Sequence, residues 1–178
     1  MIATGNEKSS ILMIYTGGTI GMKQDPLDQT LKPFNFNQII HEVPELSKFA
    51  FKIDSYTFDP LIDSSDVEPA LWKSIVKLIR NKYDAYDGFV ILHGTDTMSY
   101  SASALSFMFK GLTKPIVFTG SQLPIGIPRT DGKENLISAV EIASAKDGKG
   151  HAVVPEVSIF FNSILMRGNR TRKVNAEN

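Results

Sequence analysis

The chain has 178 residues with 19 basic and 19 acidic side chains, so it lacks the cationic excess of a nucleic-acid-binding surface. It contains no cysteine, which excludes a disulfide, a thiolate nucleophile and a cysteine-held metal. Hydrophobic residues make up 42%, ordinary for a globular domain with a real core, and no apolar run approaches the roughly 20 residues of a membrane span. The polar first ten residues and the short apolar run behind them do not make a signal peptide, so a cytoplasmic protein with no membrane partner is expected.

In chain order, residues 11–15 (ILMIY) read as a buried strand that stops abruptly at Thr16-Gly17-Gly18-Thr19. Residues 23–33 carry Pro26 and Pro33, show no apolar period and read as a mobile loop suited to a lid. Residues 35–43 place Phe36, Ile39, Ile40 and Val43 at helical spacing before Pro44. Residues 49–58 alternate as a strand and run into the polar turn Asp63-Ser64-Ser65-Asp66. Residues 67–83 form the clearest helix, with Leu71, Ile75, Leu78 and Ile79 on one stripe, Ser65 or Asp66 as cap and Pro69 in the first turn.

The second half repeats the alternation. Residues 89–92 (FVIL) are a buried strand ending in His93-Gly94-Thr95-Asp96-Thr97, followed by a helix carrying Met98, Ala102, Leu105 and Phe109. Residues 115–119 (PIVFT) are another strand, ending at Gly120-Ser121-Gln122; a helix over 135–145 and a strand over 152–161 follow, and Arg167-Gly168-Asn169 opens a polar final segment. Alternating strands and helices predict an α/β fold with a mostly parallel sheet and helices on both faces.

In such a sheet the carboxyl ends of the strands share one edge, where ligands bind. Thr16, Ser64-Ser65-Asp66, Thr95-Asp96 and Ser121 all fall there. A cleft of hydroxyls, carboxylates and backbone N–H groups suits a small polar ligand with its own ammonium and carboxylate. Asp96 or Asp66 could pair with the ammonium, and Ser64 with the glycine-turn N–H groups could hold the carboxylate. The structural alternative is that these side chains cap turns and helices, Thr16 among them. His93 could orient a loop. A threonine nucleophile needs a base, and a lysine, with Lys173 a candidate, can serve. The chain lacks a P-loop, a dinucleotide fingerprint, a serine elbow and any metal-ligand spacing among His41, His93 and His151, so no cofactor or metal is expected.

The blocks YTGGTIGM (15–22), DSSD (63–66), DGFVILHGTDTM (87–98), TGSQ (119–122) and RGNRT (167–171) together resemble the bacterial-type L-asparaginases, most nearly the cytoplasmic type I enzymes. The resemblance implies hydrolysis of L-asparagine to L-aspartate and ammonia without metal or cofactor. It implies Thr16 as the nucleophile of an acyl-enzyme, with Thr95, Lys173 and Asp96 as a relay that activates a hydroxyl or water. It places Asp96 on the substrate ammonium, Ser64 on its α-carboxylate with Ser65 beside it, and the Thr95 N–H and glycine turn at the oxyanion.

Two departures stand out. The lid tyrosine of the family has no counterpart in 23–33, where Leu31 falls instead. Family members are also about twice as long, with a second, smaller α/β domain that completes the site across a homodimer or homotetramer. Residues 1–178 are therefore expected to be the N-terminal catalytic domain alone, weak or inactive in isolation. The alternatives are a non-catalytic asparagine- or aspartate-binding module and the asparaginase-like subunit of a tRNA-dependent amidotransferase.

Overall fold

The computed structural model describes residues 9–24, 30–33, 39–49 and 51–175. One sheet has six strands in the order β4-β1-β5-β6-β7-β8: β1 Ser10–Tyr15, β4 Lys52–Thr57, β5 Gly88–Leu92, β6 Ile116–Thr119, β7 Val157–Phe161 and β8 Ile164–Arg167. The first five of these run parallel, and β8 pairs antiparallel with β7. This is the α/β architecture expected from the alternation of strands and helices.

Each central strand feeds two cores, because successive side chains point to opposite faces. On one face Ile11, Met13, Tyr15, Val90, Leu92 and Val117 pack with Leu136, Ala139, Val140 and Ala143 of α4 (Gly132–Ser144) and Ile39 of α1 (Ile39–Glu42). On the other, Leu12, Ile14, Phe89, Ile91 and Phe118 meet Leu71, Ile75 and Ile79 of α2 (Pro69–Lys82) and Ala102 and Leu105 of α3 (Met98–Met108). Helices thus cover both faces. Burial of both faces explains why these strands read as continuous apolar runs. Among the described residues no helix is long and apolar enough to cross a membrane.

From β1 the chain steps to β4 on one side, and from β5 onward it proceeds on the other. The carboxyl ends of β1 and β5 therefore flank the point where strand order reverses, the position that opens a crevice in such sheets.

Several boundaries differ from the sequence reading. Helix α2 begins at Pro69 with Glu68 as its extended N-cap, not at residue 67, because the residue before a proline is pushed out of helical conformation. Ser65 and Asp66 do not cap it; they lie in a 3₁₀ turn over Ser64–Asp66, whose cap is the Asp63 carboxylate accepting from the Ser65 N–H. Strand β7 starts past Pro155, which has no N–H for a ladder, and Ala152 makes only an isolated bridge to Lys146. Within 23–33, β2 (Met22–Gln24) and β3 (Leu31–Pro33) pair antiparallel, so this stretch is not wholly loop. Residues 25–29 and 34–38, including Phe36, lie outside the described residues. Strand β8, absent from the sequence reading, returns through Asn162 and Ser163, both at positive φ (50° and 60°), the geometry of a tight hairpin turn.

Candidate active site

The site is assembled by close backbone packing at the strand ends. Gly17 and Gly18 adopt φ of 138° and 95°, which side chains rarely tolerate. A Cβ on Gly17 would sit 2.1 Å from the Ile62 carbonyl oxygen, and one on Gly18 would sit 2.6 Å from the Gly94 nitrogen. A Cβ on Gly94 would lie 2.4 Å from Ser64 Oγ. Three glycines thus let the turn after β1, the loop after β4 and the loop after β5 touch. Beneath them, the buried Tyr15 hydroxyl donates to the Gly18 carbonyl at 3.1 Å, and burial pushes its pKa well above the ordinary phenol value. We expect Gly18→Ala to cost about 3 kcal/mol or more and to lower the melting temperature by roughly 10 °C, read by calorimetry. An unchanged melt would show that the turn relaxes freely.

Thr16 closes β1. Its N–H and its hydroxyl both donate to the Leu92 carbonyl, at 3.1 and 2.9 Å, and its own carbonyl accepts from the Ile62 N–H at 2.9 Å. The residue is buried, at 2% exposure, with its hydroxyl committed to the end of β5.

The second group lies where β5 enters α3. Lys173 Nζ donates to Thr95 Oγ1 at 2.9 Å and to Asp96 Oδ1 at 2.8 Å. Asp96 Oδ2 lies 3.5 Å from Ser64 Oγ, a long and weak contact. Lys173 gets there because the chain turns sharply after β8. Gly168–Arg170 forms a 3₁₀ turn against α3, where a Cβ on Gly168 would approach the Ala102 carbonyl to 3.1 Å, and Thr171 Oγ1 donates back to the Arg167 carbonyl at 2.7 Å. A lysine 77 residues away in sequence thereby meets Asp96.

The structure joins Ser64, Thr95, Asp96 and Lys173 directly. Thr16 enters through the Gly18–Gly94 packing rather than by a hydrogen bond of its own to that group. Ser65 does not join: its hydroxyl donates to Asp63 at 2.8 Å. Nor does Ser121, whose hydroxyl donates to the Leu123 carbonyl at 2.6 Å. Thr97 is a participant that sequence reasoning did not single out, although it lies inside the HGTDTM block. Its hydroxyl donates to the Ser64 carbonyl at 2.5 Å and so fixes the Ser64 loop to the start of α3. A cleft of about 730 Å³ opens beside Thr95 and Lys173, walled by Gln122, Leu123, Asp131, Phe161 and Asn162; Thr16, Ser64 and Asp96 do not line it. Among the described residues no cluster of three or more His, Asp or Glu side chains is arranged to hold a metal.

The arrangement offers three hydroxyls, of Thr16, Ser64 and Thr95, a lysine in contact with the last of them, and a half-free carboxylate. Groups of these kinds can serve acyl transfer.

Residues 10–178 match the family model described as asparaginase, N-terminal. The chain is 45% identical over 174 residues to L-asparaginase 1 of Escherichia coli (strain K12), covering 96% of this chain and 49% of that protein. The crystal structure of L-asparaginase I from Vibrio cholerae superposes with a TM-score of 0.84 at 46% identity, covering 95% of this chain and 49% of that one. The thermostable L-asparaginase from Thermococcus kodakarensis superposes with a TM-score of 0.83 at 32% identity, again over 95% and 49%. The chain thus spans about half the length of the relatives it matches.

Proposed function

Because the chain belongs to the asparaginase family, matching that family's N-terminal part, we propose that the protein hydrolyses L-asparagine to L-aspartate and ammonia. The observation that carries the reading is Lys173, brought from the far end of the chain onto Thr95 and Asp96. Such a contact has no strong structural purpose, since half-exposed ion pairs stabilise a fold little.

In this reading the Thr16 hydroxyl turns from the Leu92 carbonyl and adds to the side-chain amide carbon. The tetrahedral intermediate collapses, the C–N bond breaks, and nitrogen takes a proton and leaves as ammonia. Water then adds to the ester, and Thr16 recovers its proton as aspartate departs. Thr95 and Lys173 move the protons. In the resting geometry Lys173 Nζ donates to Thr95 Oγ1 at 2.9 Å, the contact along which the relay runs. Asp96 pairs with the substrate ammonium, its Oδ2 being the carboxylate oxygen not held by Lys173. Ser64 holds the α-carboxylate, and Ser65 shapes the turn that carries it. We further propose that the natural-length product is a cytoplasmic homodimer or homotetramer with a second, smaller domain. The present chain would then be its catalytic N-terminal part.

The test is ammonia release from L-asparagine by the gene product at its natural length, alongside calorimetry with L-aspartate. Release without any partner supports the hydrolase and excludes an obligate amidotransferase subunit. Aspartate binding with no release would make the protein a binding module.

A further inference from the structure

His93 follows β5 and precedes the Gly94–Thr95 peptide. It is 1% exposed, and its ring leans on Phe118 with centroids 5.8 Å apart. Its Nδ1 lies 2.7 Å from the Gly94 carbonyl oxygen and its Nε2 lies 2.9 Å from Ser101 Oγ on α3. Ser101 Oγ in turn accepts from Trp72 Nε1 on α2 at 2.9 Å.

This chain of bonds sets every proton. The indole N–H of Trp72 can only donate, so Ser101 receives there and gives its own proton to Nε2. The Gly94 carbonyl can only accept, so Nδ1 carries the hydrogen. The neutral Nδ1–H tautomer satisfies all members, and burial lowers the His93 pKa, which keeps the ring neutral.

The consequence lies on the other side of the same peptide. In a trans peptide unit the C=O and N–H point in opposite directions. With the Gly94 carbonyl drawn inward to His93, the Thr95 N–H must face outward. Among the described residues it meets no acceptor. It therefore stands as an open donor beside the hydroxyl that Lys173 holds.

We propose that His93 is a positioning residue: backed by Ser101 and Trp72, it holds the Gly94–Thr95 peptide so that the Thr95 N–H stabilises oxygen charge during reaction. The kinetic part of this proposal rests on the amidohydrolase reading above; the conformational part does not. A fixed donor aimed at developing charge acts on turnover rather than on substrate binding.

The experiment is made on the gene product at its natural length. His93→Leu removes the donor; His93→Asn offers a side-chain N–H in place of Nδ1; Ser101→Ala frees the ring behind it. Loss of one oxyanion donor predicts a fall in kcat of about 100-fold for His93→Leu with KM held within about threefold, and recovery of at least about tenfold of that loss in His93→Asn. Ser101→Ala lowers kcat in the same direction, again at constant KM, and carries the test if His93→Leu does not fold. Crystal structures of the wild type and His93→Leu should show the Gly94–Thr95 peptide rotated in the variant. An unmoved peptide, wild-type kcat in His93→Leu, or a loss expressed in KM alone would overturn the proposal. If the wild type itself releases no ammonia, the amidohydrolase reading fails, and the peptide orientation in the two crystal structures still decides the role of His93.

Discussion

Replacing Thr16 by alanine should lower ammonia release from L-asparagine by at least about 10⁴-fold, the scale at which removal of a covalent nucleophile is felt. The fold should survive. The hydroxyl makes one hydrogen bond, to the Leu92 carbonyl, and that carbonyl keeps the Thr16 N–H as a second donor. The lost bond costs about 1 kcal/mol, too little to unfold a domain stabilised by two large apolar cores. Rates and thermal melts measured on the natural-length product separate the two effects. A Thr16→Ala protein with wild-type turnover would remove Thr16 from the chemistry and leave it as the closing residue of β1. A Thr16→Ser variant keeps the hydroxyl and should retain most of the rate if the nucleophile assignment holds.

The second large effect belongs to Lys173. Lys173→Met keeps most of the side-chain volume and removes both the charge and the donor. We expect kcat to fall by about 10²–10⁴-fold, the range associated with a positioned acid–base group. Stability should change by less than about 1 kcal/mol, because the Asp96 partner is 61% exposed and such pairs contribute little. A structural ion pair would give the opposite pattern, a shifted melt with little change in rate. Combining Lys173→Met with Thr95→Val adds a further check. If the two act as one relay across their 2.9 Å contact, the double variant should be scarcely slower than the worse single one. Fully multiplicative losses would show independent roles.

Particular residues show how much was legible from the sequence. The runs at 11–15, 89–92 and 115–118 are apolar or aromatic because the strands are covered on both faces, and a strand buried this way declares itself. Leu71, Ile75 and Ile79 declare α2 equally well, since an amphipathic stripe needs only local spacing. The polar residues after each strand could be placed on one edge of the sheet once the strands were taken as parallel. Strand β8 was not legible. Its residues Ile164 and Leu165 are exposed, and Asn162-Ser163 reaches positive φ without the glycine that usually announces such a turn.

Which polar residues work together was a different matter. Local sequence sets two like hydroxyls side by side at Ser64 and Ser65, yet one faces Asp96 and the other turns back to Asp63. It picks out Thr95 but not Thr97, yet both take part: Lys173 holds the first while the second ties down the Ser64 carbonyl. It offers Lys173 as one lysine among many. The strand and helix pattern, the polar edge of the sheet and the glycines that crowd it were thus readable from the residues alone, because these follow from hydrophobic periodicity and backbone freedom. The tertiary structure alone decided which hydroxyl meets which charge. Contacts such as Lys173 with Thr95 join residues dozens of positions apart, and their distances are set by the packing of β8 and its turn against α3 rather than by any local preference.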